Sequence, residues 1–333
     1  MQAFRFTDVE TGLSRDTIPI PTPGPGQVLL SVKAVGLCHS DANLVHGVGF
    51  QWLRAPRPMT LGHEVAGEIV RHGPPSSEQQ RAWANEFPPG TRVAVAMVSH
   101  PIETCNWDTA MGIGSPGGYA EYTIAYGEHL VRIPQGVSYA QAAVATDSIS
   151  TAYHATLVTG AVRSGMTVGI IGIGGLGMNA AAVAALEGAR VYAADTNAAK
   201  FDAARRVGVV DCAASLAELL ERKQGKFDVV IDFVGIAATV QSAITAVRDG
   251  GTVVLVGLGA TTVELPVAQI ISSSINVAGS IGASMQDLVN VLDLIQRGDI
   301  KPDISEIPFA DIPRGLDDLG KGTVQNRLFA CPT

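Results

Sequence analysis

Gly172-Ile173-Gly174-Gly175-Leu176-Gly177 lies between an apolar run at 166–171 and an alanine-rich stretch that continues to Gly188. A glycine cluster in a strand–turn–helix setting leaves few folds open. The first glycine permits the tight turn, the second lets a backbone approach a pyrophosphate, and the third allows the helix to pack on the strand. The pyrophosphate then rests on the helix N-terminus, where free N–H groups and the helix dipole favour an anion. Asp195, 18 residues beyond Gly177, closes the next apolar run at 190–194. A carboxylate there accepts hydrogen bonds from the ribose hydroxyls of adenosine and repels a 2′-phosphate, so the site favours NAD(H) over NADP(H).

The same rhythm continues down the chain. The pattern predicts a helix over 174–188, a strand over 190–194, a helix over 197–207, a strand over 227–233, a helix over 238–247 and a strand over 252–256. Alternating strands and helices of this kind form a doubly wound parallel sheet. A further helix is expected over 285–297, with Leu288, Val291, Leu292 and Ile295 on one apolar face. The residues before about 140 read differently. Short apolar runs such as 28–32 and 66–70 are separated by Pro/Gly punctuation such as 21–26, which reads as β-rich. Residues 74–89 read as a polar surface loop bounded by prolines, and 107–118 as a glycine-rich loop. Trp52, Trp83 and Trp107 fall in loops on this reading.

At 333 residues the chain is long for one compact domain, and two are expected. A net charge of −8 argues against a nucleic-acid partner, which usually calls for a basic face. No apolar run reaches the length of a membrane span, and the first residues lack the features of a secretory signal. The four cysteines, at 38, 105, 212 and 331, form no CxxC pair. That usage fits a reducing compartment, so a cytoplasmic location is expected.

One of those cysteines opens a second cluster of chemistry. Cys38-His39-Ser40-Asp41 is followed by Gly62-His63-Glu64. Thiolate and imidazole are preferred zinc ligands, and a catalytic zinc takes three protein ligands and keeps one position open. A metal and a hydride carrier in one chain point to a metal-assisted dehydrogenase.

Taken together, GLCHSD (36–41), GHE (62–64), GGYAEY (117–122), TDSISTAYHA (146–155), GIGGLG (172–177) and the Asp195…Lys200 pair resemble the zinc-containing alcohol dehydrogenases of the medium-chain dehydrogenase/reductase family. The resemblance covers essentially the whole chain. It implies an α/β fold with a GroES-like β-rich catalytic domain at 1–143, a Rossmann domain at 144–290 and a return segment at 291–333 that completes the first domain. It implies that Cys38, His63 and Asp147 ligate one catalytic zinc, with Glu64 behind the metal as a possible alternate ligand. Asp41 would orient the far nitrogen of His63, and Ser40 would relay the hydroxyl proton. Thr151 would line the nicotinamide, and backbone at Val256 and Ser280 would hold its carboxamide. Gly172, Gly174, Gly175, Leu176 and Gly177 would cradle the pyrophosphate, with Arg327 and His39 as further pyrophosphate contacts and Asp195 and Lys200 on the ribose. The substrate would be a small alcohol or carbonyl compound, the favoured class being secondary alcohols and ketones.

Two departures from the family pattern stand out. The stretch 99–114, where relatives carry four cysteines for a structural zinc, holds only Cys105, so no structural zinc is expected. Asn43 stands where many relatives have the histidine that ends the proton relay, which leaves water or His46 as its end. Asp147 has a second reading, as the N-cap of a helix beginning near Ser148. Two other functions share these motifs: a metal-independent enone or quinone reductase, and a cofactor-binding protein without turnover. Retention of Cys38, His63, Glu64 and Ser40 weighs against both. The strand-like stretch 276–281 resembles the region through which relatives pair, so a homodimer or homotetramer is expected.

Overall fold

The computed structural model describes residues 1–49 and 52–332. The chain divides into two compact units, Met1–Asp147 with Ala283–Thr333, and Ser148–Gly282.

In the first unit β1 (Gln2–Phe6) pairs antiparallel with β2 (Leu13–Thr17), and β4 (Met59–Thr60) completes a small three-stranded sheet on the other side of β1. β3 (Gln27–Gly36) is the hub of the larger sheet. It pairs with β5 (Glu64–His72) and with β7 (Tyr122–Tyr126), while β6 (Arg92–Val95) and β8 (Leu130–Arg132) extend the sheet beyond β5. Alternating and paired apolar residues of these strands, among them Leu30, Val32, Val35, Val65, Val93 and Val95, fill one core together with Phe4 and Phe6.

The second unit has the alternating strand and helix order that the sequence pattern predicts, with the strand Val209–Ala213 and the helix Leu216–Lys223 added to it. β9 (Thr167–Ile171), β10 (Arg190–Ala194), β11 (Val209–Ala213), β12 (Phe227–Asp232), β13 (Val247–Leu255) and β14 (Asn276–Gly279) form one parallel sheet in the order β11-β10-β9-β12-β13-β14. Two cores cover its faces. Ala180, Ala181, Ala184 and Ala204 from the helices Gly175–Leu186 and Phe201–Arg206 pack with Val168, Ile170, Val191 and Ile231. Leu216, Leu219, Val240 and Ile244 from Leu216–Lys223 and Ala237–Ala246 pack with Tyr192, Val230 and Val253. Strands buried on both faces explain why they read as continuous apolar runs. The strand order reverses between β9 and β12, the topological switch point at which such sheets bind ligands.

The chain then returns to the first unit. β15 (Ile304–Pro308) pairs parallel with β16 (Arg327–Cys331), and β16 docks antiparallel on β3 with Phe329 opposite Gly36. The expected boundary at 290/291 falls inside the helix Met285–Arg297, which belongs whole to the first unit. Its apolar stripe is buried there, and Gln296 Nε2 donates to the Gln135 carbonyl at 3.0 Å. No helix among the described residues is long and apolar enough to cross a membrane.

Two further differences have clear physical causes. Residues 74–89 are not simply a loop, because Glu78–Glu86 is helical and is capped by Ser77, whose side chain accepts from the Gln80 N–H. Polar composition and flanking prolines hid a short helix that packs through Trp83. That ring stands edge-on to His72 with centroids 5.1 Å apart and stacks on Phe87 at 5.6 Å, so Trp83 is a packing residue rather than a loop one. The strand β11 and the helix Leu216–Lys223 were absent from the predicted pattern, the strand because Asp211 and Cys212 interrupt its apolar run. Trp83→Ala is expected to destabilise the first unit by about 2 kcal/mol, below the range for a fully buried aromatic because the ring is half-exposed. Denaturant unfolding followed by circular dichroism checks this, and an unchanged midpoint would show that the helix is not anchored through this ring.

Candidate metal centre and dinucleotide turn

Three segments of the first unit converge on one buried point. Cys38 precedes the helix His39–Val45 and has extended backbone geometry. Glu64 opens β5, with His63 just before it. Asp147 comes from a single wide helical turn, Ala145–Ile149, that interrupts regular helix. π-type turns of this kind are rare and recur at functional sites. Asp147 is therefore not an N-cap, because helix already runs from Tyr139 to Val144 ahead of it.

The donor atoms of Cys38, His63, Glu64 and Asp147 all lie within 4.8 Å of one another, and all four residues are buried. The Cys38 Sγ donates to Asp147 Oδ2 at 3.5 Å, and His63 Nε2 lies 3.4 Å from the same oxygen. The other ring nitrogen, Nδ1, faces Asp41 Oδ1 at 3.3 Å. Behind the cluster Arg327 donates from Nη2 to Glu64 Oε1, in a pair that is almost wholly buried. Glu64 Oε2 is buried with no hydrogen-bond partner.

The electrostatics follow from this crowding. Burial pushes the Glu64 carboxyl up to about 7, with the Asp147 charge adding to it and Arg327 opposing it. Burial alone would lower the His63 pKa, but the charges of Asp41 and Cys38 outweigh it and hold it well above the usual value. Several acidic groups thus share one guanidinium and one imidazole in a buried setting. A buried anionic set of this kind is stable only with compensating positive charge. One thiol, one imidazole and carboxylate oxygens in mutual reach are a donor set that zinc accepts.

The remaining residues of the first unit fall as follows. Ser40 and His39 are exposed on the first turn of the helix after Cys38, and Ser40 Oγ lies 3.7 Å from Cys38 Sγ. His46 Nε2 faces Asp317 at 3.6 Å, in an exposed pair. Arg327, which the resemblance assigns to a pyrophosphate, is engaged by Glu64. The stretch with Cys105 is tied down by hydrogen bonds: Ser115 Oγ donates to the Thr109 carbonyl at 3.1 Å, and Thr109 Oγ1 meets His129 Nε2 at 3.2 Å. The partnership of Glu64 with Arg327 carried no local sequence signal, since 263 residues separate the two.

The second unit presents the glycine turn at the switch point. Gly172 has φ +82°, which favours glycine, and its N–H bonds the Ala194 carbonyl at 2.8 Å. A Cβ on Gly177 would lie 1.9 Å from the Gly172 carbonyl oxygen, so the helix can pack this closely only without a side chain. A Cβ on Gly174 would meet nothing within 4 Å, and no side chain caps the helix Gly175–Leu186. The turn therefore leaves open both space and unpaired N–H groups for an anion. Asp195 Oδ2 accepts from the Ile173 N–H at 2.9 Å and from Lys200 Nζ at 3.0 Å, and its Oδ1 accepts from the Asn197 N–H at 2.8 Å. Thr151 is buried in the helix Ser150–Tyr153. The Val256 N–H bonds the Asp232 carbonyl at 3.0 Å, and Thr159 Oγ1 donates to Ser280 Oγ at 3.1 Å.

Comparison with known proteins places these features in one family. Residues 24–135 match the alcohol dehydrogenase GroES-like domain, and residues 175–297 match the zinc-binding dehydrogenase domain. The chain is 30% identical over 330 residues to an alcohol dehydrogenase of Rhizobium meliloti (strain 1021), covering 94% of this chain and 93% of that one. It is 29% identical over 336 residues to an L-threonine 3-dehydrogenase of Sinorhizobium medicae (strain WSM419), covering 97% and 94%. The solved structure of acetophenone reductase from Geotrichum candidum NBRC 4597 in complex with NAD matches with a TM-score of 0.86 and 30% identity, over 99% of this chain and 97% of that one. The chain belongs to the zinc-type alcohol dehydrogenases of the medium-chain dehydrogenase/reductase family. It is an oxidoreductase.

Gly177→Ala is expected to cost about 1–3 kcal/mol through overpacking against the Gly172 carbonyl, and to weaken dinucleotide binding in parallel. Thermal unfolding and titration with NADH fluorescence read the two effects. A variant that melts and binds like the parent would show that the turn is looser than described.

Proposed function

We infer that this enzyme interconverts secondary alcohols and ketones with NAD(H), using one zinc ion per chain held by Cys38, His63 and Asp147. The observation that carries this reading is the buried convergence of those three donors and Glu64 within 4.8 Å. The substrate class is suggested by two relatives, one named for L-threonine 3-dehydrogenation and one for acetophenone reduction, since each name concerns an oxygen on a secondary carbon. Retention of a full donor set favours this over a metal-independent reductase.

When bound, zinc would polarise a carbonyl or acidify an alcohol, and NAD(H) would accept or supply the hydride. The chain's own residues have distinct tasks around that chemistry. Asp41 holds His63 with Nδ1 turned away from the cluster, so that Nε2 faces it. Glu64, with Oε2 unpartnered, is the alternate donor at the back of the site. Ser40 Oγ would accept the substrate hydroxyl proton and pass it on. Because Ser40 is exposed and His46 is turned to Asp317, the relay is proposed to end at solvent. Gly172, Gly174, Gly175, Leu176 and Gly177 would hold the pyrophosphate, and Asp195 with Lys200 the ribose. Thr151, Val256 and Ser280 would border the nicotinamide, and Arg327 and His39 would add pyrophosphate contacts.

The enzyme is also proposed to be a homodimer or homotetramer. β14 is an open sheet edge, and Val277, Ile281 and Ile271 around it are exposed apolar residues. An unpaired strand edge of this kind favours pairing with a second copy.

Elemental mass spectrometry on protein purified without chelator is expected to give one zinc per chain, and His63→Ala is expected to lose it. The same variant should lose about 10³-fold or more in kcat/KM for secondary alcohols, equivalent to about 4 kcal/mol of transition-state stabilisation. Full activity in zinc-free protein would refute the metal reading. Two zinc ions per chain would place a second site at or near Cys105. For the nucleotide, Asp195→Asn is expected to move the NADP/NAD ratio of kcat/KM upward by about tenfold or more, about 1.4 kcal/mol. A ratio that does not move would mean that the Asp195 charge does not discriminate.

A further inference from the structure

His63 has an orienting carboxylate, and that carboxylate has an anchor of its own. We propose that Tyr119 is a positioning residue for the metal centre, acting through Asp41 to fix the ring of His63. The proposal rests on the reading that Cys38, His63 and Asp147 hold a metal.

The geometry forms a chain of three residues. Tyr119, Asp41 and His63 are all buried, the first two completely. Asp41 Oδ1 faces His63 Nδ1 at 3.3 Å and accepts from the Gly62 N–H at 3.4 Å. The other oxygen, Oδ2, accepts from the Tyr119 hydroxyl at 2.8 Å. This is the shortest of the three contacts, and an ionised carboxylate can only accept, so the tyrosine must donate. The contacts on Oδ1 are long, so the short bond on Oδ2 is the tightest hold on the carboxylate. Tyr119 holds it.

Tyr119 can do this because its own place is overdetermined. Its N–H bonds the Leu61 carbonyl at 3.0 Å, the Gly118 N–H bonds the Gly62 carbonyl at 2.8 Å, and its carbonyl accepts from the Phe4 N–H at 2.7 Å. Its ring lies flat against Gly62, where a Cβ would come within 2.7 Å of Tyr119 Cδ1. Gly62 also has φ +92°, so the segment before His63 turns where the ring needs room. The backbone that carries His63 and the side chain that orients it are thus both registered on Tyr119. Such outer partners set the ring orientation and basicity of a ligating histidine, and their loss typically weakens metal binding about 10–100-fold.

Tyr119→Phe keeps the ring and removes one oxygen. The experiment measures Zn²⁺ affinity by competition with a chromophoric chelator, and the visible spectrum of the Co²⁺-loaded protein, for parent, Tyr119→Phe, Asp41→Asn and the double variant. The expected result is a 10–100-fold loss of affinity in Tyr119→Phe with a shifted cobalt spectrum. That loss should largely vanish when Asp41 is already Asn, because the two residues act in series. A purely structural tyrosine would lower the melting temperature while leaving affinity and spectrum unchanged, which would overturn the proposal. An equal loss in both Asp41 backgrounds would overturn it too, since the effect would not pass through Asp41. A parent protein that takes up no metal would instead overturn the metal reading beneath it.

Discussion

The buried charge around His63 is the constraint on which the first unit depends. Cys38, Asp41, Glu64 and Asp147 are carried out of water by three different stretches of chain, and the cationic groups facing them are His63 and Arg327. Removing carboxylates from water costs several kcal/mol each unless charge or hydrogen bonds replace the solvent. This explains why the last strand must come home. β16 lays its first residue, Arg327, against Glu64 as it pairs with β3, so the final thirty or so residues supply a counter-charge as well as a strand. The topology of the unit, in which the chain leaves and returns, is what brings that guanidinium to the back of the site.

The second unit solves a different problem with different means. The pyrophosphate proposed for it would be held without a buried cation, because the helix N–H groups are left uncapped over a turn of small residues. Asp195 ties that turn to the neighbouring strand through the Ile173 N–H, so a residue read as a ribose contact also holds the loop. Its carboxylate is already paired with Lys200, which lowers the electrostatic cost of keeping an acid near the cradle for a pyrophosphate.

What could be read from the sequence divides along the range of the interactions. The glycine turn, β9, β10 and the helix over 285–297 are local patterns, in which periodicity and turn chemistry decide the outcome, and they were legible. The cysteine and histidine of the candidate centre were legible as residue types, and Asp147 through its motif. The wide turn that presents Asp147 was not, because a π-turn is selected by tertiary packing and leaves no periodic trace. The helix Glu78–Glu86 was hidden by its polar composition, since it has no buried residue and packs through Trp83. The links Arg327–Glu64 and Tyr119–Asp41 join residues distant in sequence, and only the fold brings them together.

The choice of a carboxylate as third donor fits the rest of the cluster. Asp147 Oδ2 lies between the Cys38 thiol at 3.5 Å and His63 Nε2 at 3.4 Å, so one oxygen is the meeting point of both other donors. A thiolate in its place would accept hydrogen bonds poorly and would add a second soft ligand. A carboxylate accepts from the thiol and the imidazole with ordinary hydrogen-bond chemistry, and presents the same oxygen to a divalent cation. Protons and metal therefore compete for one set of atoms, and binding a metal there must release protons. The wide turn at Ala145–Ile149 is what sets that oxygen at the centre, and the Tyr119–Asp41 anchor turns the imidazole to face it.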